Sequence, residues 1–284
     1  MTRDELDRAV RDIRIRFFSD PFHVFPETEL TDLLDRFVID RLGRDREDSG
    51  GCTVLAAGGF GRRTLHPASD LDFLILFRDS SDADVVGRLL DRLGDPGFEI
   101  GYQAKQFGDF SVFDPAEVDG YTAFFDARYL WGDAGLAREF THRVLPGFVS
   151  DNQVGFLRAM IEVRAARHCS DREGIDSPEP NVKTGVGGLR DYHFVRWVSH
   201  VLGSQPPPEV ESAAAFIQRV RNLLHYLEGR SQDVLRIEYQ DEISARLRYG
   251  VEPVIGLMRD YRRAAVAILR ASVEAEVQAM AASK

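Results

Sequence analysis

The chain runs to 284 residues, 44% of them hydrophobic and 29% charged, enough to bury a core and to hold one large or two modest domains. A formal net charge of −10 and a pI near 5.3 argue against a non-specific nucleic-acid binder, whose affinity comes from Lys and Arg neutralising phosphates. The N-terminal MTRDELDRAV lacks the apolar core of a signal peptide, no stretch reaches the roughly 18 apolar residues of a membrane span, and Cys52 and Cys169 lie far apart without metal-type spacing; the expectation is a soluble, cytoplasmic protein with neither membrane nor nucleic acid as partner.

From the N-terminus, Leu6, Val10, Ile13 and Phe17 recur at helical spacing, and after the Asp20-Pro21 break Leu30, Leu33, Leu34, Phe37 and Val38 do the same. Both read as helices covering the back of a sheet. RDREDSGG, from Arg44 to Gly51, reads as a polar linker. It leads into VLAAGGFGRRTLHPASDLDFLILF, Val54 to Phe77, where one apolar run ends in Gly58-Gly59 and a second is opened by Asp70 and Asp72. Strand alternation puts Asp70 and Asp72 on one face, roughly 6–7 Å apart along the strand. At about 4 Å two like charges repel by about 4 kcal/mol at an effective dielectric near 20, so converging carboxylates want a proton or a cation between them. Magnesium suits, because it takes a few carboxylates and shares its remaining positions with substrate phosphates. The glycines would let backbone N–H groups approach a triphosphate closely. A helix from about Asp82 to Leu93 and a Gly94-Asp95-Pro96-Gly97 turn then lead to a third strand, Phe98 to Gln106, with Glu99 near its start.

Beyond Tyr121 the pattern reads as mostly helical, with Trp131-Gly132-Asp133 marking a helix end at a glycine stop. A long helix from about Asn152 to His168 carries Phe156, Met160 and Val163 on one face. Its Arg158, Arg164, Arg167 and His168 read as a solvated basic surface, with a phosphate-facing role for Arg164 or Arg167 as the alternative. EPNVKTGVGGLRD, Glu179 to Asp191, places Gly185, Gly187 and Gly188 before a helix running from Leu189 to Val201. Backbone donors at such an entry can bind an anion, with Lys183 and Arg190 adding charge; a plain loop-to-helix junction would explain the glycines too. After the break at Pro206-Pro207-Pro208, helical stripes follow at Ala213 to Leu227, at Ile243 to Tyr249, and from Val254 into a long terminal helix.

The strand, Gly-Gly and Asp-x-Asp pattern resembles the nucleotidyltransferase signature of the DNA polymerase β type. More narrowly, GGFGRRTLHPASDLDFLIL, PNVKTGVGGLRD and LRYGVEPVIGLMRDYRRAA resemble the PII-protein uridylyltransferases and their relatives, including the glutamine synthetase adenylyltransferases. The resemblance runs from Val54 to nearly the end of the chain. It implies an α+β fold: N-terminal helices and a catalytic core with a small mixed sheet over residues 1–140, then an all-helical nucleotide- and substrate-binding domain over 141–284. It also implies a magnesium-dependent nucleotidyltransferase of nitrogen regulation. Such an enzyme moves a nucleoside monophosphate, UMP in preference with AMP as the alternative, from a nucleoside triphosphate to a hydroxyl of a PII-like protein.

On this reading Asp70, Asp72 and Glu99 are the catalytic and metal-holding residues, Glu99 matching the family's acid before a hydrophobic-Gly pair and fitting better than Asp109 or Asp114. Two magnesium ions, or manganese in their place, would stand about 3.5–4 Å apart and stabilise the entering and leaving oxygens of an in-line displacement. Gly58, Gly59, Arg62 and Ser69 would seat the phosphates, and Lys183, Gly187, Gly188 and Arg190 would add to the nucleotide site. Arg63 and Thr64 depart from the family's usual Gly-Glu, which would put a bulky cation at the mouth of the phosphate loop. The family's uridylyl-removing hydrolase and sensor domains have no room in 284 residues, so removal of the added group is not expected. Two rivals stay open: a regulatory module that binds nucleotide without transfer, and transfer to a small-molecule hydroxyl.

Overall fold

The computed structural model describes residues 1–43, 51–78, 83–171 and 174–283. The expected linker lies, but for Gly51, outside them, as does Asp82 at the start of the expected helix after the second strand. The described chain divides into two compact units, Met1–Arg16 with Phe25–Asn152, and Phe17–Val24 with Gln153–Lys284.

The first unit opens with helices α1 (Arg3–Ser19, its last turn counted with the second unit) and α2 (Pro26–Leu42). Proline at the first position of α2 costs no hydrogen bond, and Glu27 and Glu29 in its first turn face the positive end of the helix dipole. Strand β1 (Cys52–Ala56) runs into the single turn α3 (Gly58–Gly61); β2 (Leu71–Phe77), α4 (Ala83–Leu93) and β3 (Ile100–Gln106) follow. After α5 (Val118–Thr122) comes β4 (Arg128–Gly132), then α6 (Ala134–Glu139) and α7 (Leu145–Asp151). The sheet order is β3-β2-β1-β4, with β2 and β3 parallel and the other two pairs antiparallel. It is a mixed sheet, as expected.

Strand β4 corrects the helical reading of this stretch. Arg128 to Gly132 is a strand buried in its second half, Trp131 donates its indole N–H to the Gly43 carbonyl at 2.7 Å, and Gly132 turns at φ +93. Asp133 does not follow a helix end; it caps the start of α6, accepting from the amides of Gly135 and Leu136 at 2.7 and 3.1 Å.

Strand alternation sorts the sheet into two faces. Leu71, Phe73, Ile75 and Phe77 of β2 join Cys52, Val54 and Ala56 of β1 in one core with Leu6 and Ile13 of α1, Leu30, Leu34 and Phe37 of α2, and Leu89 of α4. The N-terminal helices do cover this side of the sheet. Asp70 and Asp72 therefore belong to the opposite face, where α6 packs on β1 and β2 and the rings of Phe110, Phe140, Phe148 and Tyr121 stack edge-on at 5.0–5.6 Å.

The second unit is helical: α8 (Gln153–Ser170), α9 (Leu189–Leu202), α10 (Pro208–Glu228), α11 (Ile237–Arg246) and α12 (Pro253–Ala282), with α12 packed on the other four. Left-handed glycines, Gly203 and Gly229, close α9 and α10. Trp197 of α9 is buried. Val163 of α8, expected on the buried face, is 38% exposed. The fold is α+β, with a small mixed sheet ahead of a helical unit. Among the described residues no helix is long and apolar enough to cross a membrane.

Candidate active site

The carboxylate of Asp72 is held by what its neighbours lack. A Cβ placed on Gly58 would stand 2.7 Å from Asp72 Oδ2, and one placed on Gly101 would stand 2.7 Å from Oδ1. Each oxygen thus rests against a glycine, one on the turn after β1 and one on β3, where Gly101 is the register partner of Asp72. Gly58 is also at φ +54, where a side chain would add strain. Gly101 was not foreseen as a site residue, although Ile100-Gly101 directly after Glu99 was its signal. Because the clashing atom is the end of a side chain, Gly101→Ala is expected to leave stability within about 1 kcal/mol of wild type while displacing the carboxylate. A displacement near 1 Å can cost about 10²-fold in rate. Thermal melts and initial rates on one preparation check this, and a rate within threefold of wild type would remove the cradle from the catalytic account.

Asp70 lies just ahead of β2, exposed, with no hydrogen bond or ion pair among the described residues. The amide of Leu71 donates to the Glu99 carbonyl at 2.7 Å, which sets Glu99 level with Asp70 on the parallel neighbour. Since Glu99 alternates with Gly101, it shares the face of Asp72. Among the described residues no three His, Cys, Asp or Glu side chains gather into a metal cage. A magnesium ion held by one or two carboxylates plus phosphates does not need one.

The phosphate-loop candidates have more definite places than the sequence allowed. The Gly58 amide donates to the Ala123 carbonyl at 2.9 Å and that of Gly61 to Ala57 at 2.8 Å. Gly58 therefore contributes room for Asp72 instead of a donor, and Gly59 and Phe60 are the amides of this turn left outside its backbone bonds. Arg62 is largely buried and faces Asp126 at 3.6 Å, which makes it a brace between the loop and the approach to β4. The amide of Ser69 closes a turn on the His66 carbonyl at 3.0 Å, and its hydroxyl has no protein partner among the described residues.

The second motif corrects its anion-cradle reading. Every amide from Val182 to Asp191 already has an acceptor: Lys183 and Thr184 donate to Asn181 Oδ1, Val186 to Asp171, Gly187 to Asp191, and the rest to backbone carbonyls. Gly187, at φ +74, would drive a Cβ to 2.3 Å from the Ala265 carbonyl of α12, and Gly188 one to 2.9 Å from that of Gly185. These glycines are present for close packing. Lys183 faces Asp233 at 3.8 Å, and Asp233 also accepts from Arg221 at 2.6 Å. Burial raises the Asp233 carboxyl, but His225, Arg221 and Lys183 outweigh burial and hold it well below the usual carboxylate range. Arg190 alone keeps a half-buried guanidinium with no ion pair or hydrogen bond among the described residues.

Of the basic residues of α8, Arg158 is exposed as expected, but Arg164, Arg167 and His168 are neither a solvated surface nor a phosphate clamp. Asp191, with 0% side-chain exposure, draws them in: Arg167 donates at 2.6 Å, His168 Nε2 lies at 2.9 Å, and Arg164 Nε stands at 3.5 Å. The Gly187 amide adds a bond at 2.8 Å. Burial pushes the Asp191 carboxyl up, yet His168, the amide and Arg167 prevail and hold it below its ordinary value. Arg164 also reaches Glu276 and Ser272 of α12.

Comparison with known proteins gives one family for this chain. The family described as GlnD PII-uridylyltransferase matches residues 155–206 and 201–274. Proteins named bifunctional uridylyltransferase/uridylyl-removing enzyme align over most of this chain. That of Rhodospirillum rubrum is 31% identical over 215 residues, 69% of this chain and 23% of the relative. That of Aromatoleum aromaticum is 32% identical, covering 75% and 26%, and that of Pseudomonas putida 30%, covering 79% and 27%. The chain belongs to the PII-uridylyltransferase family. It spans about a quarter of the length of the curated relatives it matches.

Against the family's usual Gly-Glu after Gly-Arg, Arg63 has a physical reading. It sits at φ +62, a left-handed conformation that suits glycine. Its side chain does not block the loop mouth as expected. It turns to Asp32 and Asp35 of α2, and Asp35 is also gripped by Arg128 through two bonds of 2.7 and 2.8 Å.

Proposed function

We propose that this member of the PII-uridylyltransferase family is a magnesium-dependent nucleotidyltransferase, moving UMP or AMP from a nucleoside triphosphate to a hydroxyl of a PII-like protein. The observation that carries the reading is the pair Asp70 and Asp72 at one strand end, the first without a protein partner among the described residues and the second seated between two glycines. Oxygen donors of this kind fit a hard divalent ion. Asp70 and Asp72 would hold the ion that accompanies the triphosphate, with Glu99 completing a second position. Magnesium, when bound, supplies charge stabilisation of the phosphates and a lowered pKa for the attacking hydroxyl. The hydroxyl oxygen bonds to the α-phosphorus, the bond from that phosphorus to the α,β-bridging oxygen breaks, pyrophosphate leaves, and the proton passes to solvent. Gly59 and Ser69 would donate to phosphate oxygens, and Gly58 and Gly101 keep the Asp72 carboxylate in position.

Incubation with α-labelled UTP or ATP, magnesium and a purified bacterial PII protein tests the reading. A labelled protein band supports it. A labelled small molecule from a lysate, or nucleotide binding without label transfer, would favour the two other readings and overturn this one.

Arg190 is the residue of the second motif still suited to a charged ligand. Arg190→Ala is expected to weaken UTP binding by roughly 1.5–3 kcal/mol, the range for a hydrogen bond to a charged group. Calorimetric titration with magnesium at fixed salt reads this, and equal affinities in two folded proteins would return the motif to a purely packing role.

A further inference from the structure

We propose that the open edge of β3 is where the acceptor protein docks, as an extended segment that adds a strand beside Ile100–Gln106. The inference rests on the transfer reading above and names the part of this chain that the acceptor meets. β3 is the last strand on its side of the sheet. In a parallel ladder alternate residues turn their backbone groups toward the neighbour. The bond from Leu71 to the Glu99 carbonyl commits Glu99, Gly101, Gln103 and Lys105 to β2. Ile100, Tyr102, Ala104 and Gln106 then face outward. The Gln106 amide is closed by the Asp109 carboxylate at 2.9 Å. Among the described residues nothing pairs with the outward N–H and C=O of Tyr102 and Ala104. An unpaired row of this kind is a template for strand addition.

A second observation points the same way. Gln103 and Lys105 alternate with Gly101 and so share the face of Asp72. With Ala104, Glu117 and Gly120 they line an open cleft of ≈ 440 Å³. Lys105 is paired with Glu117 at 3.3 Å, while the Gln103 amide has no hydrogen-bond partner among the described residues. The cleft starts two residues, about 6.6 Å, along β3 from the residue that cradles Asp72.

The edge offers donors and acceptors in strand register, which another backbone matches. A chain of net charge −10 with Glu117 lining the cleft does not invite a nucleic acid.

Hydrogen exchange tests the docking directly. The wild-type chain is mixed with a bacterial PII protein, magnesium and a UTP analogue that cannot be cleaved between its α- and β-phosphates. The amides of Tyr102 and Ala104 are expected to slow at least tenfold when the PII protein is added. In turnover assays, Ala104→Pro removes an outward donor at an edge position that tolerates proline. It is expected to raise the KM for the acceptor at least tenfold, with the KM for UTP and the kcat within twofold. Protection without transfer by the wild type would keep the docking edge and defeat the transfer reading. Transfer with unprotected amides, or with an unchanged acceptor KM in folded Ala104→Pro, would overturn the edge.

Discussion

Asp72→Asn is expected to lower nucleotidyl transfer by at least about 10³-fold, the scale on which a positioned charge in an active site acts, while the protein stays folded. The substitution keeps volume and leaves the core face of β2 untouched. An amide cannot substitute for the carboxylate, because one of its two ends becomes a donor where an oxygen would hold the proposed metal ion. Confinement between Gly58 and Gly101 also prevents the side chain from turning away to compensate. Asp70→Asn should act with similar size, since that carboxylate has no structural partner among the described residues to lose. Initial rates with labelled UTP at saturating magnesium, beside circular dichroism of each variant, provide the check. Unchanged turnover in Asp72→Asn would end the assignment.

Asp191→Ala is expected to destabilise the second unit by about 3 kcal/mol, the lower end of the range for removing one partner of a buried ion pair. The lower end applies because Arg164 retains Glu276 and Arg167 is 15% exposed. The loss comes mainly from cations left among apolar neighbours. The pH dependence has a definite sign. The folded carboxyl sits below its ordinary value, so its contribution is complete above the unfolded pKa of about 3.9 and is lost as pH falls through the lower folded value. Urea midpoints of wild type and variant should therefore differ by a constant amount from pH 7 to 5 and converge below about pH 4. A difference under about 1 kcal/mol at pH 7, the size of an exposed pair, would mean that the cluster is already hydrated.

Much of this architecture was legible because its signals are local. Apolar spacing gave α1, α2 and the helices of the second unit, and two apolar runs around Gly-Gly and Asp-x-Asp gave β1 and β2. What escaped is non-local. β4 is five residues long, and the partner that makes it a strand, β1, is more than seventy residues earlier in the chain. The glycine loop carried the composition of an anion site, but composition does not say which acceptors claim its amides. Asn181, Asp171 and Asp191 do. Likewise Arg164 and Arg167 of α8 looked solvated because the carboxylate that buries them is 24 residues on from Arg167. The Asp72 cradle needed one glycine from each of two flanking segments, and only their convergence gives either its role.

The two tryptophans are distributed one to each unit, Trp131 in β4 and Trp197 in α9, and both are buried. Intrinsic fluorescence therefore separates the chain into two optical channels without any added dye. Trp131→Phe leaves emission that reports the helical unit, and Trp197→Phe leaves emission that reports the sheet. Coincident denaturation curves from the two variants would mean that the units melt as one cooperative block, and separated curves that each has its own transition.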